Sequence, residues 1–206
     1  MVAAIILAAG RSTRMGQSKP LLPYGGVSGH TFLSRLIEIA ENAGFSEILV
    51  VGRPGDDGVR AEVTRGKATF IENPRAEQGQ LSSLQTALSE LEARHGPELE
   101  AVMVMPADAP LISRAAVDLL LTAARASSAQ IFRATHAGKH GHPVIFKRAT
   151  FPELHAADPN VGARAVVRAD PSRVEDVDVG EAGVTIDFDT PEEYRRHFGV
   201  LPPTRR

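Results

Sequence analysis

The chain has 206 residues, a formal net charge of −2, 43% hydrophobic and 23% charged residues, and no cysteine. These values are typical of one globular domain with a substantial core, and they exclude disulfides, thiolate metal sites and a cysteine nucleophile. The small net charge argues against a nucleic-acid partner, and no apolar run is long enough to span a membrane. Because no basic residue precedes the apolar N-terminal stretch, we do not interpret it as a signal peptide and expect a cytoplasmic enzyme.

The first strand and the loop after it carry the strongest signal in the sequence. An apolar run over Val2–Ala9 predicts a buried strand. The loop that follows combines glycines with cations, namely Gly10, Arg11, Arg14, Gly16 and Lys19. Glycines let backbone N–H groups approach a ligand, while arginine and lysine bind phosphate oxygens. We therefore predict a polyphosphate cradle, although it has neither Walker A nor G-x-G-x-x-G spacing. The alternative is an ordinary connection with solvated arginines.

The next 60 residues alternate between helix and strand. Thr31 is a predicted cap of a helix whose apolar positions run to Ala40, and Gly44 ends it. Ile48–Val51 reads as a second buried strand and Ala68–Ile71 as a third. The charged, glycine-rich stretch 53–67 between them predicts a short exposed helix without chemistry.

A helix predicted to end by Gly96 begins with several polar groups. Its first turn and the approach to it contain the candidate nucleotide ligands Asn73, Gly79, Ser82 and Ser83. Helix starts present free N–H groups, and hydroxyls there can bind a base or a ribose. The alternative is that Ser82 or a neighbour of Gln80 simply caps the helix.

Asp108 follows a fourth predicted strand, Ala101–Met105, and lies between Pro106 and Pro110. Ligands of open α/β sheets bind at the carboxyl ends of strands, so we interpret Asp108 as a metal ligand. The alternative is an aspartate that forms a turn. Ser113 then predicts the cap of the next helix.

A hairpin is predicted from Gln130–Thr135 and Val144–Phe146, joined by a turn over 138–143. Lys139, His140 and His142 in this segment could bind an anionic acceptor. A solvated turn explains Lys139 and His140 equally well, whereas His142 is better placed because it enters the strand. Zinc is rejected, since no cysteine or further histidine lies nearby.

The C-terminal part of the sequence indicates four further elements before a final helix. They are a short helix over Phe151–Leu154, a turn at 158–164 leading into a helix to Arg168, a strand over Val174–Val179 and a last strand over Val184–Phe188. Asp187 and Asp189 would lie on one face of that last strand. Thr190 to Glu193 is a capping box that starts a final helix through Phe198. Asp187 is the preferred second metal carboxylate here, because Asp189 could merely support the cap.

Alternating strands and helices predict an α/β fold with a doubly wound, mostly parallel sheet and a small antiparallel addition. We expect a single domain over residues 1–198 and a frayed tail over 199–206.

Three motifs together resemble those of the molybdenum-cofactor type (MobA-like) nucleotidyltransferase superfamily. They are Leu7-Ala8-Ala9-Gly10-x-Ser12-x-Arg14-Met15-Gly16-x-x-Lys19, Pro106-Ala107-Asp108-x-Pro110-Leu111 and Asp187-x-Asp189-Thr190-Pro191-Glu192-Glu193-Tyr194. The stretches 73–84, 141–146 and 158–164 are similar to the branch that contains molybdenum cofactor cytidylyltransferase. Gln80-Leu81 departs from the family pattern, so both CTP and GTP remain open as nucleotides.

The resemblance implies a three-layer α/β/α sandwich with a Rossmann-like sheet that transfers a nucleoside monophosphate from a triphosphate to a phosphorylated acceptor. CTP as donor, the molybdenum cofactor as acceptor and Mg²⁺ as the metal are implied, as is docking to a molybdoenzyme or its chaperone. Arg14, Lys19 and Asp108 would be catalytic, and Asp187 or Asp189 would complete the metal site. The nucleotide would be held by Leu7, Ala8, Ala9, Gly10, Arg11, Ser12, Gly16, Lys19, Asn73, Gly79, Ser82 and Ser83, and the acceptor by Lys139 and His142. A sugar or polyol phosphate acceptor and a non-catalytic accessory protein are the alternatives.

Overall fold

The computed structural model describes residues 1–26 and 29–203. Its centre is a seven-stranded sheet of order β3-β2-β1-β4-β6-β5-β7. The strands are β1 (Val2–Leu7), β2 (Ile48–Gly52), β3 (Thr69–Glu72), β4 (Ala101–Pro106), β5 (Ile131–His136), β6 (Lys139–Lys147) and β7 (Val174–Asp178). Among these described strands only β6 runs against the others, pairing antiparallel with both β4 and β5. The predicted mostly parallel α/β sheet is confirmed.

Helices cover both faces of the sheet. They are α1 (Phe32–Asn42), α2 (Asp57–Val63), α3 (Gln80–His95), α4 (Arg114–Ala126), α5 (Phe151–Ala156), α6 (Arg164–Ala169) and α7 (Pro191–Phe198). One core joins α1, α2 and α4 to one face of the sheet, and a second core joins α3, α5 and α6 to the other. This arrangement is the expected three-layer sandwich, because each strand buries alternate side chains in opposite directions.

The helix caps predicted from the sequence are confirmed. Thr31 and Thr190 each form a complete capping box, and Ser113 Oγ accepts a hydrogen bond from Ala116 N. For α3, the structure differs: Gly79 occupies the N-cap and provides no side-chain cap. Ser82 Oγ instead lies 2.8 Å from the carbonyl oxygen of Gly79, one turn back.

The hairpin turn is shorter than predicted. His136 pairs with Lys139, so only Ala137 and Gly138 form the turn, with φ values of 50° and 75°. Two consecutive residues with positive φ are typical of a tight two-residue hairpin. The remainder of the predicted turn therefore belongs to β6. This strand also lies inside the sheet between β4 and β5, which makes it more than an addition to one edge.

The predicted last strand over Val184–Phe188 is wrong. Residues Ala182–Thr185 form a short 3₁₀ helix, and the chain then continues without joining the sheet. Phe188 N donates to the carbonyl oxygen of Asp108 at 2.9 Å, which ties this segment to the loop after β4. The apolar residues that suggested a strand are buried for another reason, because Val184 packs in the main core and Phe188 in a small aromatic cluster.

This aromatic cluster consists of five buried residues: Met15, Leu22, Phe32, Phe188 and Tyr194. The rings of Phe32 and Phe188 lie 5.3 Å apart, and those of Phe32 and Tyr194 lie 5.9 Å apart. Tyr194 Oη donates to the carbonyl oxygen of Pro23 at 2.6 Å. The cluster thus packs the glycine loop, α1 and the C-terminal helix together, although more than 100 residues of sequence separate the first and last of them.

Candidate active site

The glycine loop after β1 is held by bonds to one serine. The carbonyl oxygen of Ser12 accepts hydrogen bonds from Met15 N and Gly16 N, both at 3.1 Å, and Ser12 Oγ accepts one from Lys19 N at 3.0 Å. Ser12 has a positive φ of 51°, an uncommon conformation that such bonds can stabilise. Met15 anchors the loop in the aromatic cluster, whereas Arg11 and Arg14 remain exposed. The loop is therefore fixed at its centre and offers its cations to the surface.

Lys19 lies between two carboxylates from distant parts of the chain. Its Nζ is 3.2 Å from Asp108 Oδ2 and 2.5 Å from Asp189 Oδ1. Arg14 Nη2 lies 2.7 Å from the other oxygen of Asp189. The Lys19 side chain is only 12% exposed, whereas those of Asp108 and Asp189 are 23% and 28% exposed. The hydrogen bond from Lys19, with the charges of Lys19 and Arg14, holds the pKa of the Asp189 carboxyl below its ordinary value.

Two independent anchors position Asp189. Its backbone N–H and that of Thr190 both donate to Glu193 Oε2, at 2.8 and 2.9 Å. The preceding residue, Phe188, is buried in the aromatic cluster. Asp187, on the other side of Phe188, is exposed and has neither a hydrogen bond nor an ion pair with the described residues. The structure therefore brings Asp189 to Asp108, and places Asp187 in a neighbouring cleft.

The pair of Asp108 and Asp189 fits a small divalent cation. Both carboxylates reach one ammonium nitrogen, so their oxygens converge on one point. Mg²⁺ commonly takes one or two protein carboxylates and completes its shell with water and substrate phosphates. Within the described ranges, no group of three or more histidine, cysteine, aspartate or glutamate residues could hold a metal ion. A metal held by these two carboxylates would take its other ligands from water and phosphate oxygens.

A cleft of about 330 Å³ opens beside this pair and contains most of the predicted nucleotide ligands. The predicted residues that line it are Leu7, Ala8, Ala9, Gly10, Arg11, Ser12, Lys19, Gly79 and Ser83, together with the catalytic candidates Arg14 and Asp108. We call it the nucleotide cleft. Gly16, Asn73 and Ser82 are not among its lining residues.

Asn73 and Ser82 support the wall of the cleft. Both are fully buried, and Asn73 Nδ2 donates to Ser82 Oγ at 2.9 Å and to Ser83 Oγ at 3.0 Å. Asn73 Oδ1 accepts from Arg75 N at 2.9 Å, which fixes the turn before α3. Such buried, mutually satisfied groups hold a loop in place. Ser83 is the member of this network that lines the nucleotide cleft.

Arg53 is a lining residue that the sequence interpretation missed. It follows β2, in a stretch where we expected no chemistry. The signal available was the one used for Asp108, since Arg53 also comes directly after the carboxyl end of a buried parallel strand.

A second, larger cleft of about 1040 Å³ adjoins the first, and Leu7 and Gln80 line both. We call it the acceptor cleft. It contains the two predicted acceptor ligands, Lys139 and His142, and also Asp187. Arg164 and Arg168 of α6 line it as well, and sequence reasoning did not single them out. In the described part of the chain no carboxylate pairs with Lys139, Arg164 or Arg168, so the cleft presents free positive charge.

His142 is neutral at physiological pH in this environment. Burial, together with the charge of Arg164, lowers the pKa of its imidazole to about 4, although Asp187 acts in the opposite direction. Its Nδ1 is buried without a hydrogen-bond partner among residues 1–26 and 29–203. A neutral ring offers one donor and one acceptor nitrogen.

Close backbone packing positions this part of the acceptor cleft. A Cβ at Gly141 would lie 1.9 Å from the carbonyl oxygen of Val184, so only glycine lets β6 approach the 182–185 helix. This contact holds the segment that carries Asp187 and Asp189 against the sheet.

In the described residues, no helix is both long and apolar enough to cross a membrane.

Comparison with known proteins gives relatives of similar length. The chain is 27% identical over 192 residues to the molybdenum cofactor cytidylyltransferase of Escherichia coli strain K12, with 92% of each chain covered. The crystal structure of Rv0371c from Mycobacterium tuberculosis H37Rv is 29% identical, with a TM-score of 0.77 and 97% of each chain covered. A complex of Rv0371c with manganese is 27% identical, with a TM-score of 0.72, and covers 97% of this chain and 99% of that one.

The model of the MobA-like NTP transferase domain matches residues 4–176 of this chain, a range that contains the glycine loop and Asp108. This match extends over most of the sequence, and the nucleotide cleft contains the cations and the carboxylate that the sequence motifs predict. The chain therefore belongs to the family of MobA-like NTP transferase domains.

Proposed function

We propose that this protein transfers CMP from CTP to a phosphorylated acceptor, the molybdenum cofactor, and releases pyrophosphate. The observation that carries the proposal is the position of Lys19 in the nucleotide cleft, between Asp108 and Asp189. One cleft has the cations of a polyphosphate site, and the other has unpaired cations for an anionic acceptor. The cytidylyltransferase of E. coli supports the choice of base and acceptor.

Different residues of the nucleotide cleft have different roles in phosphoryl transfer. The backbone and cations of the glycine loop bind the triphosphate, with Arg11 and Arg14 on its exposed side. Lys19 is the partly buried cation that contacts both carboxylates of the pair, so it neutralises charge on the α-phosphoryl group and on the leaving pyrophosphate. Asp108 and Asp189 would hold a divalent cation, which would supply further positive charge to the phosphate oxygens, and manganese in the Rv0371c complex supports such a site.

The acceptor enters from the other side. Lys139, Arg164 and Arg168 bind its phosphate, and neutral His142 offers a hydrogen bond. A phosphate oxygen of the acceptor forms the new bond to the α-phosphorus as the bond to pyrophosphate breaks. Both reacting groups are anions, so the reaction needs positioning and charge neutralisation, and no covalent enzyme intermediate is required.

Pyrophosphate release tests this proposal. The protein is incubated with Mg²⁺ and molybdenum cofactor, and CTP, GTP, ATP and UTP are compared. We expect release with CTP, and its loss in Asp108→Asn. Absence of release with CTP would refute the cytidylyl assignment. Turnover with a sugar or polyol phosphate in place of the cofactor would refute the acceptor. Tight CTP binding without any product, unchanged in Asp108→Asn, would indicate an accessory protein.

A further inference from the structure

The side chain of Arg53 lines the nucleotide cleft and has no hydrogen-bond or ion-pair partner among the described residues. Its Nε is buried and makes no hydrogen bond, and its guanidinium forms no ion pair with the residues that the structure describes. A buried polar group that is left unpaired costs free energy, and native proteins rarely leave one without a reason. Since Arg53 lines the cleft and its terminal guanidinium nitrogens form no hydrogen bond or ion pair with the described residues, these nitrogens are free to bind a ligand.

The neighbours of Arg53 restrict its backbone. Gly52 is in close contact with the ring of Phe70, since a Cβ there would lie 2.4 Å from that ring. Pro54 follows Arg53 and disfavours the helical conformation of the residue before it. Pro54 therefore favours an extended conformation of Arg53, directly after the end of β2. This restriction reduces the conformational entropy that the backbone of Arg53 would lose when a ligand binds.

The position of Arg53 indicates which part of the nucleotide it meets. In the sheet, β2 and β4 flank β1 on opposite sides, so Arg53 and Asp108 lie on opposite sides of the glycine loop. The reacting α-phosphate belongs beside Asp108, Asp189 and the acceptor cleft, and the loop cations hold the rest of the triphosphate. The nucleoside therefore extends toward the β2 side. There the cleft is lined by Arg53 and by residues at the start of α3.

We propose that Arg53 reads the nucleobase, and that its guanidinium selects a base with two adjacent acceptor atoms, which cytosine and guanine have and adenine and uracil lack. A guanidinium donates two parallel hydrogen bonds to such a pair. Cytosine offers O2 and N3 side by side, whereas adenine pairs each edge acceptor with an amino donor and uracil places an N–H between its two carbonyls. This inference rests on the proposed function in one respect, which is that a nucleoside triphosphate occupies this cleft.

Binding measurements on the full chain test the role of Arg53. Isothermal titration calorimetry compares CTP, ATP and inorganic tripolyphosphate, with the wild type and the variants Arg53→Gln and Arg53→Lys. Tripolyphosphate engages the glycine loop but has no base. We expect both variants to bind CTP about 10- to 100-fold more weakly, as for a lost charged hydrogen bond, and to bind tripolyphosphate within threefold of the wild type. Arg125→Gln removes the same charge from an exposed site on α4 and is the matched control.

Three results would overturn the proposal. An equal loss of tripolyphosphate binding would make Arg53 a phosphate ligand, and an equal loss for ATP and CTP would show that it does not read the base. Unchanged CTP binding in both variants would remove it from the site. The proposed function fails separately: an enzyme that turns over GTP in place of CTP, with guanine O6 and N7 as the adjacent acceptors, would contradict cytidylyl transfer while supporting Arg53 as the base-reading residue.

Discussion

The choice between Asp189 and Asp187 as the partner of Asp108 can be tested by replacing each with asparagine. Asparagine keeps the shape of aspartate and removes its charge. In Asp189→Asn the bond from the Lys19 ammonium and the bond from Arg14 both lose their ionic character. In Asp187→Asn no ion pair with the described residues is lost. The two variants therefore remove the same charge two residues apart, and each is the other's control.

The structure gives the magnitude of the expected effect. The contact with Arg14 contributes little, because that arginine is 68% exposed and water screens it. The contact with Lys19 is shielded, and a charge-assisted hydrogen bond there contributes about 1.5–3 kcal/mol, or roughly 10- to 150-fold in the positioning of the lysine. Since Asp189→Asn also removes one of the two proposed metal carboxylates, we expect kcat to fall about 10²- to 10³-fold.

The assay is steady-state pyrophosphate release at a series of Mg²⁺ concentrations. For Asp189→Asn we expect the low kcat together with a higher Mg²⁺ concentration at half-maximal rate. For Asp187→Asn we expect kcat and Mg²⁺ dependence within about threefold of the wild type, with any change confined to the KM of the acceptor. The melting temperature of Asp187→Asn should remain within a few degrees, since Asp187 is exposed. That of Asp189→Asn should fall by no more than about 10 °C, because about 1.5–3 kcal/mol corresponds to roughly 2–4 °C per kcal/mol in a chain of this size. A large loss in Asp187→Asn with a mild one in Asp189→Asn would refute this reasoning.

Three further predictions concern Lys19, Gly141 and His142. Lys19→Met should lower kcat by orders of magnitude, yet Mg²⁺ alone should raise its melting temperature more than that of the wild type, because the ammonium no longer competes for the two carboxylates; an equal or smaller shift would contradict this. Gly141→Ala should destabilise the fold by about 1–3 kcal/mol, seen in thermal unfolding, because its Cβ meets a backbone carbonyl; an unchanged melting temperature would contradict that packing. His142 has a pKa lowered to about 4, so the native state binds fewer protons than the unfolded chain below pH 6.5, and stability is lost as the pH falls from 6.5 to 4. Denaturant unfolding at several pH values should show a shallower loss in His142→Gln, by up to about 1.4 kcal/mol per pH unit, and parallel curves would exclude this titration.

Much of the site was predictable because its signals are local. The glycine loop was recognisable from the cations that follow a buried strand, and the caps at Thr31, Ser113 and Thr190 from residues within one helical turn. Asp108 was predictable from its place after β4. In each case the physical cause is the end of a strand or the unpaired N–H groups at the start of a helix. These causes involve only a few neighbouring residues, so the local sequence predicts them.

Other features resulted from packing between distant segments. The run over 184–188 has the composition of a strand, but the aromatic cluster buries Phe188 and removes this segment from the sheet. That burial turns Asp189 toward Lys19, from which 170 residues separate it. Asp187 and Asp189 are equivalent in a strand pattern, so no periodicity could distinguish them. Arg53 had the local signal of its place after β2, but its lack of a side-chain partner in the cleft is visible only in the tertiary structure.

The sequence by itself therefore determined the order of strands and helices except at 184–188, the glycine loop with its cations and the identity of the charged groups. These follow from periodicity, turn residues and capping, which act within a few positions of the chain. Only the tertiary structure decided which carboxylate joins Asp108 and which arginines face each cleft. These positions depend on how the buried side chains at 15, 32, 188 and 194 pack in one small core. Contacts between residues so far apart in the sequence produce no local sequence pattern.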